Sequence, residues 1–319
     1  MTAPQCADVE AQKFESNPAP ESLPARARKL ALRLMALAAG TAVVMGLVYA
    51  AGKFLVPLTD STDKAILAVL NPDHYVPGLD QFIRAATDYS NVFIVLPLLS
   101  WMIAAALYAW LPQAKPVLTA LLALATLLLA GFAAAGRIWP NETYVGANVL
   151  LVLGLLAFMG GCAWFFHRNG RDTIRRWAWA AAIAVASGLF TGVFVTNTLK
   201  DAVARPRPLN DANKPWNEVV RTIPDEVLRG ANSFPSGHTT GTFALVTPLF
   251  WHARSPKIRA GLLGWGALQA FARVYTAAHF PLCVLAGATL GFAMGTLFYF
   301  CLGGTGLRGA GDGTNLNQV

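Results

Sequence analysis

Long runs almost free of Asp, Glu, Lys and Arg alternate with short charged segments along this chain, and that alternation decides what it can fold into. About 20 consecutive apolar residues cross the bilayer core as a helix, with the main-chain polar groups bonded inside the segment. Eight runs approach that length, at 34–52, 91–111, 116–136, 146–166, 177–199, 236–253, 260–279 and 281–301. The expected fold class is therefore all-α, an integral membrane bundle of about eight transmembrane helices. Only 13% of the residues are charged and 55% are hydrophobic, whereas a soluble domain carries about 25% charged residues, so an ordinary soluble enzyme is excluded. No span interior shows the pattern of ionisable residues that marks an ion path, which argues against a transporter.

The net charge of +8 comes from 25 Lys and Arg against 17 Asp and Glu. These cations lie between the apolar runs, so the expected partner is the bilayer and not a nucleic acid. Cys6, Cys162, Cys283 and Cys301 show neither CxxC nor ligand spacing, and no metal or cofactor is expected.

Cations retained on the cytoplasmic side set the orientation. Arg26, Arg28, Lys29 and Arg33 precede the first run; Lys115, then Arg168, Arg171, Arg175 and Arg176, then Arg254, Lys257 and Arg259 occupy every second loop. Both termini are then cytoplasmic, and 53–90, 137–145 and 200–235 face the exterior. The segment 53–90 reads as an acidic loop whose apolar piece Ala65–Leu70 is too short to span. Residues 1–28 and the Gly-rich 302–319 are expected as disordered tails, with 29–176 holding the N-terminal spans and 177–301 a core of four spans.

The exterior segment 200–235 breaks the charge rule with Lys200, Arg205, Arg207, Lys214, Arg221 and Arg229. Its first part runs from Lys200 to Arg207-Pro208, and Pro206 and Pro208 force an extended path. Rigidly spaced Lys and Arg suit an anion clamp, though each also serves as a helix C-terminal charge or meets lipid headgroups. Next comes Pro235-Ser236-Gly237-His238 at the start of an apolar run. A helix beginning there aims main-chain N–H groups outward, Gly237 admits close approach, and His238 can exchange a proton near neutral pH; the plainer alternative is a Ser N-cap beside an interfacial histidine. The third segment holds Arg273 and, six residues on, His279 before Pro281. Two histidines and several cations at membrane ends on one side make coincidence the weaker explanation.

These residues resemble the three-part signature of the type 2 phosphatidic acid phosphatase superfamily, whose pattern is K-x6-R-P, then P-S-G-H, then S-R-x5-H-x3-D. Lys200 with Arg207-Pro208, then Pro235 to His238, then Arg273 with His279 are similar to its parts. The resemblance implies a six-helix phosphatase core, to which 116–136 and 146–166 are two extra spans. It implies a hydrolase that removes phosphate from a lipid phosphomonoester or pyrophosphate, of phospholipid, isoprenyl or lipid A type, without a required metal. His279 is the expected nucleophile and forms a phosphohistidine; His238 is the general acid and base; Lys200, Arg207, Ser236, Gly237 and Arg273 hold the phosphate. A bacterial inner membrane location with a periplasmic site follows from the same resemblance.

Two positions depart from the pattern. Ala272 replaces Ser, and Cys283 replaces the Asp that orients the nucleophilic histidine. A thiol accepts from an imidazole N–H only weakly, so impaired turnover is expected. A substitute carboxylate would come from 200–235, from 53–90 or from Glu142. A headgroup-binding or regulatory protein, and a lipid phosphotransferase, are the alternatives.

Overall fold

The computed structural model describes residues 22–71, 76–87, 104–105, 107–108, 111, 113, 115–138, 140, 142, 145–208 and 232–303. Among them the regular elements are helical, with no strand. In chain order they are α1 (Leu23–Leu70), α2 (Leu79–Thr87), α3 (Lys115–Ala134), α4 (Val145–Arg168), α5 (Arg171–Leu189), a π-helical stretch (Phe190–Val195), α6 (Thr196–Val203), α7 (Gly237–His252), α8 (Pro256–Tyr275) and α9 (Pro281–Gly303).

Among the described residues, five helical segments are long and apolar enough to cross a membrane: Leu23–Leu70, Val117–Ala134, Val145–Arg168, Arg171–Val203 and Pro281–Gly303. The expected span 91–111 lies largely outside the described residues. Helix α7, 16 residues long, covers about 24 Å at 1.5 Å per residue, short of the bilayer core by itself. Leu34, Val43, Leu47 and Phe54 of α1 are exposed, the outward apolar surface expected of a lipid-facing helix.

Two expectations are corrected. Helix α1 begins at Leu23, with Pro24 in its first turn, so residues 23–28 are helical and not tail; proline is suited to that position because its missing N–H has no helical partner there. At its other end α1 continues to Leu70, so the first half of the expected acidic loop is helix. Lys53 ends the uncharged run without ending the helix, and Asp60 pairs with Lys64 one turn on, at 2.5 Å. The tail segments 1–21 and 304–319 lie outside the described residues.

Helix α9 packs most closely on α7, and its glycines explain the approach. A Cβ on Gly287 would stand 2.8 Å from the Ser236 carbonyl oxygen, one on Gly291 2.4 Å from that of Thr240, and one on Gly295 2.7 Å from Thr247 Cβ. Spaced four apart, these residues form one face that admits the α7 main chain. On the other side of α7, the π-helical stretch carries Gly192, where an added Cβ would lie 3.1 Å from the Gly241 Cα. Such π-helical turns inside α-helices recur at functional sites. Around these contacts Val195, Leu199, Phe234, Phe280, Leu290 and Met294 form a buried apolar core that reaches α1 at Val48 and Leu67.

Candidate active site

Helix α6 ends at Ala204, whose φ of 57° is left-handed, with its N–H bonded to the Lys200 carbonyl at 2.9 Å. This cap turns the chain sharply, and Arg205 to Pro208 leave along a different path from the helix. Lys200 remains on the helix, with its Nζ beside Gly237, 3.7 Å from where a Cβ there would lie. Arg207 reaches the third motif and donates to the Ala278 carbonyl at 3.5 Å. Burial and the neighbouring Arg273 charge lower the Arg207 pKa to about 10, so it is cationic at neutral pH.

Helix α7 starts at Gly237 with Ser236 at its N-cap position. The Ser236 side chain makes no capping hydrogen bond; its Oγ instead accepts from Thr239 Oγ1 at 3.0 Å. Thus Ser236 does not act as the simple cap that its place suggests. The Ser236 N–H donates to the Cys283 carbonyl at 2.9 Å, tying the start of α7 to α9. His238, in the first turn, lines a cavity of about 200 Å³ together with Gly192, Gly237, Gly241, Leu189 and Trp265.

Between α8 and α9 the chain makes a tight turn through Ala277, whose φ is 51°. The His279 N–H donates to the Arg273 carbonyl at 3.0 Å, so the two motif residues close one loop. Arg273 and His279 are each 1% exposed. Lys200 and Arg207 act electrostatically on both histidines, Arg273 acts on His238, and His238 acts on His279. Burial first, then the charges of Arg207, Lys200 and His238, hold the His279 pKa well below 6.5, while the hydrogen bond to Ser233 opposes them.

The structure therefore gathers Lys200, Arg207, Ser236, Gly237, His238, Arg273 and His279 where α6, α7, α8 and α9 meet. Cys283 is fully buried in the first turn of α9. Its Sγ accepts from Ser233 Oγ at 3.3 Å and from the Arg205 guanidinium at 3.6 Å. The His279 Nδ1 meets the Ser233 carbonyl oxygen at 2.8 Å and its Oγ at 3.2 Å.

A second layer behind these groups was not singled out by sequence reasoning. Arg205 donates to Asp63 at 2.7 Å and to Asp60 at 3.2 Å, and its guanidinium lies over the Phe280 ring at 4.1 Å from the centroid. The other Asp63 oxygen accepts the Leu282 N–H at 2.9 Å, near the start of α9. The charge-rule violation at 200–235 and the Asp60/Asp63 pair were the available signals, but nothing in their spacing couples them. Glu142, the other substitute carboxylate considered, instead lines a cavity of about 600 Å³ with Arg137 and Asn148 near the facing ends of α3 and α4.

Residues 177–305 match the PAP2 superfamily. Over 127 residues the chain is 30% identical to the lipid A 4'-phosphatase of Bacteroides thetaiotaomicron, covering 39% of this chain and 56% of that protein. It is 35% identical over 107 residues to lipid phosphate phosphatase 2 of Arabidopsis thaliana, covering 30% and 36% of the two chains. With undecaprenyl-diphosphatase BcrC of Bacillus subtilis it shares 28% identity over 163 residues, 51% and 71% of the respective lengths. The chain thus spans about half of the first relative's length and about a third of the second's. No solved structure matches significantly. With all three motif segments inside the matched stretch, residues 177–305 belong to the PAP2 superfamily.

Proposed function

We propose that this membrane protein is a metal-independent lipid phosphatase that works through a phosphohistidine on His279. The observation that carries the reading is the meeting of Lys200, Arg207, Arg273, His238 and His279 around the start of α7. Three cations and a helix N-terminus bind a phosphate and stabilise the charge that spreads over its equatorial oxygens during transfer. Ser236 and the Gly237 main chain complete that cradle.

In the first half-reaction His279 forms an N–P bond as the P–O bond to the lipid breaks, and His238, which takes up a proton when the substrate's phosphate charge offsets the neighbouring cations, gives that proton to the departing oxygen. In the second, His238 takes a proton from water as that water attacks phosphorus, and the N–P bond breaks to release phosphate and neutral His279. A neutral imidazole is the form that can attack, and the environment of His279 favours it.

The named activities of the relatives support a substrate that is the phosphate of lipid A, a lipid phosphate or an isoprenyl diphosphate. A phosphotransferase would share the phosphohistidine and differ in its acceptor. The site is on the exterior face, periplasmic in a bacterial inner membrane, with cytoplasmic termini; 29–176 forms the N-terminal unit and 177–301 the catalytic core. Impaired turnover, or a headgroup-binding role, would follow from Cys283 if the thiol were the acceptor for His279. The Ser233 carbonyl beside Nδ1 supports hydrolysis instead.

The test is phosphate release by the detergent-solubilised protein from a panel of phosphatidate, isoprenyl diphosphate and lipid A, with chelator present. Release that resists chelator and disappears in His279→Ala is expected. Release that persists in that variant rejects the nucleophile, and binding without release from any of the three rejects the phosphatase.

A further inference from the structure

We propose that the main-chain carbonyl of Ser233 replaces the carboxylate missing at position 283, accepting the Nδ1 proton of His279 and leaving Nε2 as the attacking nitrogen. The inference rests on the reading of His279 as nucleophile. A carbonyl oxygen only accepts, so at 2.8 Å it requires the proton on Nδ1. In a neutral imidazole the other nitrogen then keeps its lone pair, and the bond fixes both the tautomer and the ring's direction. The hydrogen bonds at Nδ1 both come from Ser233. Its hydroxyl donates to Cys283 Sγ, which turns its oxygen lone pairs toward the imidazole as a second acceptor.

This carbonyl is held from several sides. The Ser233 N–H donates to the Arg205 carbonyl at 2.6 Å, and the Ser233 hydroxyl is anchored on Cys283. Arg205 is 4% exposed and is clamped by Asp63, itself 3% exposed, by Asp60 and by the Phe280 ring. Asp63 also bonds the Leu282 N–H, so the same carboxylate fixes Arg205 and the first turn of α9, where Cys283 stands. Ser233 is thus the positioning residue, and Cys283, Arg205 and Asp63 act through it.

The arrangement also says what an aspartate at 283 would meet. The thiol there already lies 3.6 Å from the Arg205 guanidinium. A carboxylate in its place pairs with Arg205, in competition with Asp63, and adds nothing at Nδ1. Restoring the family's aspartate therefore gives no gain.

The experiment uses the full chain in detergent micelles, labelled with [15N]histidine, the His279 signals being identified by their loss in His279→Gln. Tautomers are read from the imidazole nitrogen shifts in the parent, Cys283→Ala and Cys283→Asp. In parallel, kcat and KM are measured with dioctanoyl phosphatidate. The expected result is the Nδ1–H tautomer in the parent and in Cys283→Ala. The latter should lose about fivefold in kcat, the size of one modest hydrogen bond, at unchanged KM; Cys283→Asp should show no rise.

The Nε2–H tautomer in the parent, loss of the Nδ1–H form in Cys283→Ala, or a rise of about tenfold or more in Cys283→Asp, one full step in the barrier scale, overturns the proposal. Should Cys283→Ala not fold, Cys283→Ser keeps an acceptor for the Ser233 hydroxyl and should keep both the parent's Nδ1–H tautomer and its kcat, the Nε2–H tautomer there overturning the proposal. The spectra need no turnover. An inactive protein with Nδ1–H supports the bond while rejecting the phosphatase, and an active one with Nε2–H does the reverse.

Discussion

In the proposed mechanism His279 combines two demands that usually conflict, deep burial and a reactive nitrogen. Burial and the Arg207, Lys200 and His238 charges disfavour its protonated form and lower its pKa well below 6.5. A histidine with a lowered pKa keeps its neutral form as pH falls through 6.5 and loses it only lower. The [15N]histidine protein, titrated without substrate, should therefore show neutral His279 at pH 6.5. A half-protonated ring at that pH would show that the cations do not act on it. The sequence made His279 legible through its spacing from Arg273 and its place before Pro281. It could not reveal the partner at Nδ1, because a main-chain carbonyl belongs to every residue and no side-chain pattern marks it.

At the level of elements, apolar run length was a good guide wherever a helix ended with its run, as in α3 and α4. It failed at α1, since charge ends a hydropathy run but not a helix, and the Asp60–Lys64 pair carries the helix onward. The packing of α9 on α7 was equally hidden: its glycines are visible in sequence, but the main chain they admit is not. Gly291→Ala should drive a Cβ toward the Thr240 carbonyl oxygen, at 2.4 Å before relaxation. Overpacking of this kind costs about 1–3 kcal/mol. Gly264 lies on α8 with nothing within 4 Å of an added Cβ. There the same change should raise stability by about 0.5–1 kcal/mol through the better helix propensity of alanine. Thermal unfolding of the two variants in one detergent compares them directly, and an equal effect would refute the close approach of α9 to α7.

Across the whole molecule, the PAP2 segment begins at residue 177, yet a support of its third motif comes from Asp63, more than a hundred positions earlier. The N-terminal helix α1 is therefore structurally part of the site's frame, although it lies outside the matched stretch. Asp63→Asn isolates that link, since the amide oxygen can still accept the Leu282 N–H while the charge facing Arg205 is lost. Leaving one partner of a buried pair without its counter-charge costs about 3–5 kcal/mol. The lower end is expected here because Asp60 still reaches Arg205 at 3.2 Å. Removing the other charge as well, in Asp63→Asn/Arg205→Met, eliminates the uncompensated cation and fills its volume with an apolar chain. The double variant should then unfold at a higher temperature than Asp63→Asn, so that the two changes are strongly non-additive. It should still lose turnover at unchanged KM, because nothing then anchors the Arg205 segment that holds Ser233. Additive destabilisation would mean that the pair contributes no coupling between α1 and the third motif. Wild-type turnover in the double variant would mean that the His279 loop holds its geometry without α1.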